Sequence, residues 1–243
     1  MPAMKAVILA AGMGTRLHPL TADRPKPLVE VGGRSLLLRL VDQLARVGIR
    51  GADLVVVSGY RADAVHAALI GTGAIIVYNE HYADWNNFWS LYVAREAVGD
   101  DGFLQIDGDL LVDDRVLPRV VGASGPGVLA LRVDRDCDAE AMKAAVDGEG
   151  RVTRLNKQIT PAEALGESIG IARFDAPLAG RVFTELRALA DEGLTGEYYE
   201  KAYERLIQRG DGPVGIVDVS DCLGIEIDDT SDLARAEAAW AAR

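Results

Sequence analysis

The chain has 243 residues, 49% of them apolar, and a formal net charge of −11. That much apolar residue supplies a core for a large α/β domain and argues against intrinsic disorder. The acidic balance argues against a general nucleic-acid binder, which carries a basic face, although a few local cations and a metal ion can still hold a nucleotide. Cys137 and Cys222 are the only cysteines and have no CxxC spacing, so no disulfide framework is expected. The opening "MKAVILAAGMG" is a short apolar run broken at once by glycines. It reads as a buried strand, not a signal peptide or membrane span, and points to a cytoplasmic protein with no membrane association.

Short β-branched runs recur along the chain: "KAVILAA" at 5–11, "DLVVVSGY" at 53–60, "AIIVYNE" at 74–80, "GFLQIDGD" at 102–109 and "GVLALRV" at 127–133. Helical patterns separate the early ones, at 35–48 and 61–71. Strands alternating with helices predict βαβ units and a mainly parallel sheet. "DGEG" at 147–150 predicts a turn between two further strands, and "ESIGIARF" at 167–174 another strand. Helices are expected near 177–192 and 196–209, then strands in "VGIVDVSD" and "LGIEIDD", then a capped helix in "TSDLARAEAAWAA". With no repeat, low-complexity tract or linker, residues 1–243 read as one domain.

The first strand ends in "LAAGMGTRLHPLTADRPKPLVEVGG". Gly12 and Gly14 can aim consecutive N–H groups at an anion, and Arg16 and Lys26 add cationic donors suited to phosphate. Neither the Walker nor the Rossmann glycine pattern is present. On glycines alone, an ordinary strand–helix turn competes evenly with a phosphate loop. Asp107 and Asp109 in "QIDGDLLVDD" fall where a strand ends, the place where ligands gather in open α/β sheets. Two carboxylates there repel unless a cation compensates, and Mg2+ takes such oxygen ligands together with substrate phosphates. A simple Asp-Gly-Asp turn is the alternative. His18, His66 and His81 have no triad context and read as surface or packing residues.

"LAAGMGTRLHPLTADRPKPLVEVGGRSLL" resembles the signature of nucleotidyltransferases that activate sugar phosphates and phospho-alcohols. "YNEHYADWNNFWSLYVARE", "IDGD", "GESIGIARF" and "IEIDDTSDL" are similar to segments of the phosphocholine cytidylyltransferases, a branch that includes enzymes acting on 2-aminoethylphosphonate and other phosphonates. The resemblance implies a Rossmann-like three-layer α/β sandwich with a mostly parallel mixed sheet, of the nucleotide-diphospho-sugar transferase type. It implies a Mg2+-dependent transfer of CMP from CTP to a small phosphonate or phosphorylated alcohol, with pyrophosphate leaving. It maps the catalytic cations onto Arg16 and Lys26 and the metal ligands onto Asp109 and Asp228. Asp107 is then a reserve ligand or a supporting group, Asp229 a helix cap and Asp232 a solvated first-turn residue.

The same resemblance places Leu9, Ala11, Gly12, Met13, Gly14, Thr15, Asn79, Asn87 and Ser90 at the nucleotide, and Asn86, Lys157 and Glu167 at the acceptor. Asn86, Asn87 and Ser90 can equally serve as helix caps. The acidic run at 134–140 reads as a solvated loop or part of the acceptor rim. The phosphocholine branch surrounds its trimethylammonium with aromatic rings. Here Ala141 and Met142 follow that run with no tryptophan, so a phosphonate acceptor is at least as well supported as choline. Trp85, Trp89, Tyr198, Tyr199 and Tyr203 are available as wall residues or as core. A homodimer is compatible with this reading. The alternatives are a sugar-1-phosphate nucleotidyltransferase and, in another class, an inactive nucleotide-binding regulatory protein.

Overall fold

Side chains of the first strand, β1 (Met4–Ala10), alternate between two cores. Val7 and Leu9 enter one, and Ala6, Ile8 and Ala10 the other. A strand buried on both faces needs paired neighbours and helical cover on each side. The computed structural model, which describes residues 4–134 and 137–243, supplies both. Arg135 and Asp136, in the acidic run expected as loop or rim, lie outside the described residues.

After β1 the chain passes through the glycine loop to a short hairpin, β2 (Glu30–Val31) and β3 (Arg34–Ser35). Ser35 caps α1 (Leu36–Arg46) by accepting from the Leu38 N–H. Then come β4 (Leu54–Ser58), α2 (Ala62–Ala68), β5 (Ile75–Tyr78), α3 (Asn87–Val93), α4 (Arg95–Val98) and β6 (Gly102–Asp107). Next are β7 (Leu110–Val112), α5 (Val116–Gly122), β8 (Gly127–Arg132), β9 (Lys143–Val146), β10 (Val152–Asn156) and β11 (Gly166–Phe174). The chain closes with α6 (Ala176–Asp191), α7 (Glu200–Arg209), β12 (Val214–Asp218), β13 (Gly224–Glu226) and α8 (Thr230–Ala241).

The main sheet runs β5-β4-β1-β6-β11-β8-β12, with every neighbour parallel except β11, which is antiparallel to both β6 and β8. The β9–β10 hairpin extends from the start of β11 at Gly166 and Glu167. Helices α1, α2 and α5 cover one face through Leu40, Val65 and Val120, and α3, α6 and α7 cover the other through Phe88, Leu186 and Tyr203. This is the three-layer, mostly parallel α/β arrangement expected. Each such fully buried side chain contributes roughly 1.5–3 kcal/mol. A third cluster, with Leu17, Val29, Leu111, Ile227 and Ala236, fastens the glycine loop and α8 to the end of the sheet.

The chain leaves β1 toward β4 on one side and returns to β6 on the other. The carboxyl ends of β1 and β6 therefore flank a switch point, where ligands bind in open α/β sheets. The β2–β3 hairpin, α4, α5 and β7 were not anticipated. Helix α5 carries Pro118 in its first turn, where the missing N–H has no intrahelical partner to lose. Strand β7 exists through its antiparallel pairing with β13, which joins distant parts of the chain. Helix α7 starts at Glu200, later than the pattern suggested.

Candidate active site

The glycine loop folds back on Lys26. Gly14 has φ +62°, and a Cβ there would stand 2.8 Å from the Lys26 Cβ, so no other residue fits without strain. The Thr21 hydroxyl donates to the Gly14 carbonyl at 2.7 Å and closes the loop. Lys26 lies between Pro25 and Pro27, whose fixed φ holds its short turn. Its ammonium donates to Asp109 Oδ2 at 2.6 Å and to Asp228 Oδ1 at 2.5 Å. Desolvation works against that charge, but the Asp109 carboxylate and the hydrogen bonds to both aspartates outweigh it and hold the Lys26 pKa above its ordinary value. Arg16, on the exposed side of the loop, pairs with Asp228 Oδ2 at 3.0 Å.

The carboxylates arrive from two strand ends. Gly108 donates its N–H to the Leu9 carbonyl at 2.9 Å, and a Cβ on Gly108 would lie 2.5 Å from that oxygen. Only glycine lets the Asp-Gly-Asp turn press so close to β1. The β7–β13 ladder pairs Leu110 with Glu226, and the Ile227 N–H donates to the Asp109 carbonyl at 3.1 Å. This backbone pairing brings Asp109 and Asp228 together. It adds Glu226, and one oxygen from each of the three lies within 4.8 Å of the others. Asp109 Oδ1 is buried with no hydrogen-bond partner. An all-oxygen donor set with an unspent buried oxygen fits a hard divalent cation.

Glu226 is open to the cleft on one side and crowded by protein on the others. Desolvation, then the Asp109 and Asp228 charges, push its pKa up to about 8. Sequence reasoning missed it. The signal was its two-residue spacing from Asp228 in "IEID", which puts both side chains on one face of an extended segment. Asp107 is not in the cluster. It accepts from the Tyr199 hydroxyl at 2.8 Å and from Gln105 Nε2 at 2.9 Å. Burial, then the charges of Asp109, Glu200 and Glu226, raise its pKa well above the carboxylate range.

Above the carboxylates lies a cleft of about 230 Å3. Leu9, Ala11 and Gly12 line one side, and Asn86, Asn87 and Ser90 the other, with Trp85 and Tyr82 beside them. Asp107, Asp109 and Glu226 also border it. A Cβ on Gly12 would meet no protein atom within 4 Å, so this glycine keeps space open beside the cleft. Met13 and Thr15 stand exposed on the loop between Gly12 and Arg16.

The asparagines serve the scaffold as well as the cleft. Asn86 caps α3, its Oδ1 accepting from the Asn87 N–H at 2.8 Å, and its Nδ2 donates to the Gly196 carbonyl at 3.0 Å. Asn87 Oδ1 accepts from the Tyr199 N–H at 3.1 Å. Both side chains thus tie α3 to the segment before α7. Asn79 and Ser90 are buried and bonded to each other at 2.9 Å.

The remaining candidates lie further out. Glu167 pairs with Lys143 across β11 and β9, and its charge adds to the rise at Glu226. Lys157 faces a second cavity, with Nζ 3.2 Å from Glu140 Oε2 and 4.8 Å from the Tyr198 ring centroid. Asp229 caps α8, and Asp232, expected to be solvated, instead completes a capping box by accepting from the Asp228 and Asp229 N–H groups. His18 and His66 are exposed, and His81 stacks on Trp85 at 4.2 Å. Tyr199 and Tyr203 are buried, while Tyr198 is exposed.

A cleft at the switch point of a parallel sheet, with cations on a glycine loop facing a carboxylate cluster, is that of a nucleotidyltransferase. The chain belongs to the family of the MobA-like NTP transferase domain, whose profile matches residues 6–142. It is 38% identical over 44% of its length to a choline-phosphate cytidylyltransferase of Streptococcus pneumoniae. It is 31% identical over 96% of its length to a CMP-5'-(3-aminopropyl)phosphonate synthase of Streptomyces rubellomurinus. These matches span 46% and 38% of the two relatives, so the chain covers less than half of either. Among solved structures, the CTP:phosphocholine cytidylyltransferase of Streptococcus pneumoniae superposes with TM-score 0.80 at 26% identity, covering 98% of this chain and 99% of that one.

Proposed function

We propose that this protein is a Mg2+-dependent cytidylyltransferase that transfers CMP from CTP to a small phosphonate or phosphorylated alcohol and releases pyrophosphate. The observation that carries the reading is the meeting of Lys26 and Arg16 with Asp109, Glu226 and Asp228 beneath a cleft edged by Gly12. Likeness to cytidylyltransferases across nearly the whole chain favours CTP and a phosphorus acceptor. We read residues 1–243 as one nucleotidyltransferase domain working in the cytoplasm; among the described residues no helix is long and apolar enough to cross a membrane.

An acceptor oxyanion is already a nucleophile, so attack on the α-phosphorus needs no strong general base. Alignment and charge neutralisation suffice. The N–H groups around Gly12 and Gly14 receive the phosphates, and Arg16 holds the departing pair. Lys26 stands at the α-phosphate and the incoming oxygen. Asp109 and Asp228, with Glu226 beside them, would hold Mg2+, which supplies Lewis-acid neutralisation of phosphate oxygens when bound. Asn87 and Ser90 border the base and ribose, with Asn79 bonded to Ser90 behind them, and Asn86, Lys157 and Glu167 border the acceptor.

The test is pyrophosphate release from each nucleoside triphosphate against phosphocholine, 2-aminoethylphosphonate, phosphonoformate and sugar 1-phosphates. Release with CTP and a phosphonate or phospho-alcohol supports the reading. Preference for another nucleotide with a sugar 1-phosphate replaces it. CTP binding without release against any acceptor favours an inactive regulatory protein.

A further inference from the structure

Asp107, Asp109 and Glu226 all border the cleft, yet Asp109 and Glu226 join the acidic cluster and Asp107 does not. Protein donors hold Asp107 at both oxygens. The Tyr199 hydroxyl donates to Oδ2 at 2.8 Å, and Gln105 Nε2 donates to Oδ1 at 2.9 Å. The same Gln105 nitrogen reaches the Gly170 carbonyl at 3.2 Å. Gly170 has φ +72° and lies where β11 shifts register between Ser168 and Ala172. A Cβ there would stand 2.3 Å from Asp107 Oδ2, so the carboxyl is pressed against a position that only glycine leaves open.

This arrangement is costly. Gln105 is fully buried, and its Oε1 has no hydrogen-bond partner. Apolar side chains of similar volume would carry no such penalty, so stability alone does not account for it. Tyr199 belongs to the segment that Asn86 and Asn87 tie to α3, so Asp107 anchors that wall of the cleft from below. We propose that Tyr199 and Gln105 are positioning residues that keep Asp107 out of the metal site, leaving a cation held by Asp109, Asp228 and Glu226 with positions open for phosphate oxygens. The proposal rests on the metal assignment made above. Mg2+ binds few carboxylates and keeps room for waters and substrate phosphates, whereas Ca2+ accepts a larger and more flexible oxygen set. Asp107, once released, would take a position the nucleotide needs and turn the site toward the larger ion.

Isothermal titration calorimetry of the full chain with Ca2+ and with Mg2+, in the absence of nucleotide, tests this. Tyr199→Phe removes the hydroxyl and keeps the ring. It should tighten Ca2+ binding by roughly tenfold, the direction in which added ligand charge tunes such sites, and Mg2+ binding by less. A merely structural tyrosine would weaken both ions or leave both unchanged, and either result overturns the proposal. The double variant Tyr199→Phe/Asp107→Asn should return Ca2+ affinity to within about threefold of wild type; a gain that survives there also overturns it. Asp107→Asn alone should leave both affinities within about threefold of wild type. A larger loss makes Asp107 a ligand already and overturns the proposal, and this comparison stands even where Tyr199→Phe does not fold. A wild-type chain that binds neither ion overturns the proposal and the metal assignment together. Pyrophosphate release from CTP is read separately: a Ca2+ gain without turnover refutes the cytidylyltransferase reading and leaves the restraint on Asp107 in place.

Discussion

Lys26→Met should destabilise the protein in a metal-dependent way. The ammonium is shared by Asp109 and Asp228, and the three side chains are 12%, 19% and 29% exposed. Removing one partner of a buried ion pair costs about 3–5 kcal/mol, because a charge is left uncompensated. Here Asp228 keeps its 3.0 Å pair with Arg16, and the cleft admits water above it. We expect a smaller loss of about 2–3 kcal/mol, at or below the lower bound of that range. At about 2–4 °C per kcal/mol for a chain of this size, the melting temperature falls by roughly 4–12 °C. Scanning calorimetry in EDTA reads this directly. Excess Mg2+ should narrow the gap, since a divalent cation bound only by the folded carboxylates stabilises by mass action. Turnover should stay low even at saturating Mg2+. A variant melting within about 1 °C of wild type in EDTA, with no response to Mg2+, would refute the reasoning: one pKa-raising ion pair of this kind is worth more than that.

Asp109→Asn and Asp228→Asn should each lower turnover by on the order of a hundredfold, the scale of one preorganised electrostatic contact, while near-ultraviolet circular dichroism stays native. Near-normal Mg2+-dependent rates in either variant would remove that residue from the metal site. Lys157→Ala should raise the acceptor KM by roughly 30-fold, about 2 kcal/mol for a part-buried ion contact, and leave CTP affinity little changed; loss of CTP binding with normal acceptor kinetics would move Lys157 to the nucleotide. Burial lifts the Glu200 carboxyl from its ordinary 4.5 to about 7. The folded chain therefore holds that proton more tightly than the unfolded chain, so this group's stabilisation is complete below pH 4.5 and is lost as pH rises toward 7. Glu200→Gln should gain stability relative to wild type across that window in urea titrations at pH 5 and pH 8, and the opposite trend would contradict the assignment.

Much of the site was legible because it sits where hydrophobic strands stop. The glycines, Arg16, Lys26 and Asp109 follow short buried runs, and strand ends are where an open α/β sheet binds. Asp228 could be placed through resemblance. Its convergence with Asp109 depends on the β7–β13 ladder, a long-range pairing that no local pattern announces. Glu226 was hidden for the same reason: in sequence it is one more acidic residue in an acidic tail. Glu200 was read as part of an amphipathic helix, and only the packing of α7 against β10 and α6 shows one of its oxygens buried without a donor. Asn86 and Asn87 show the converse. Their capping chemistry was visible, but their bonds to the 195–199 segment, which join the two walls, were not. Helix α5 was obscured by a proline that is harmless in a first turn.

The central claim is the chemistry of the cleft, and phosphorus NMR of a single reaction mixture tests it most directly. The full chain, CTP, Mg2+ and 2-aminoethylphosphonate should give equimolar pyrophosphate and a cytidylyl–phosphonate product whose two phosphorus nuclei are coupled through the bridging oxygen. UTP, ATP and GTP should give little or none. Intact CTP after prolonged incubation with the amine and with phosphocholine, or faster product formation from a purine nucleotide, would contradict the account.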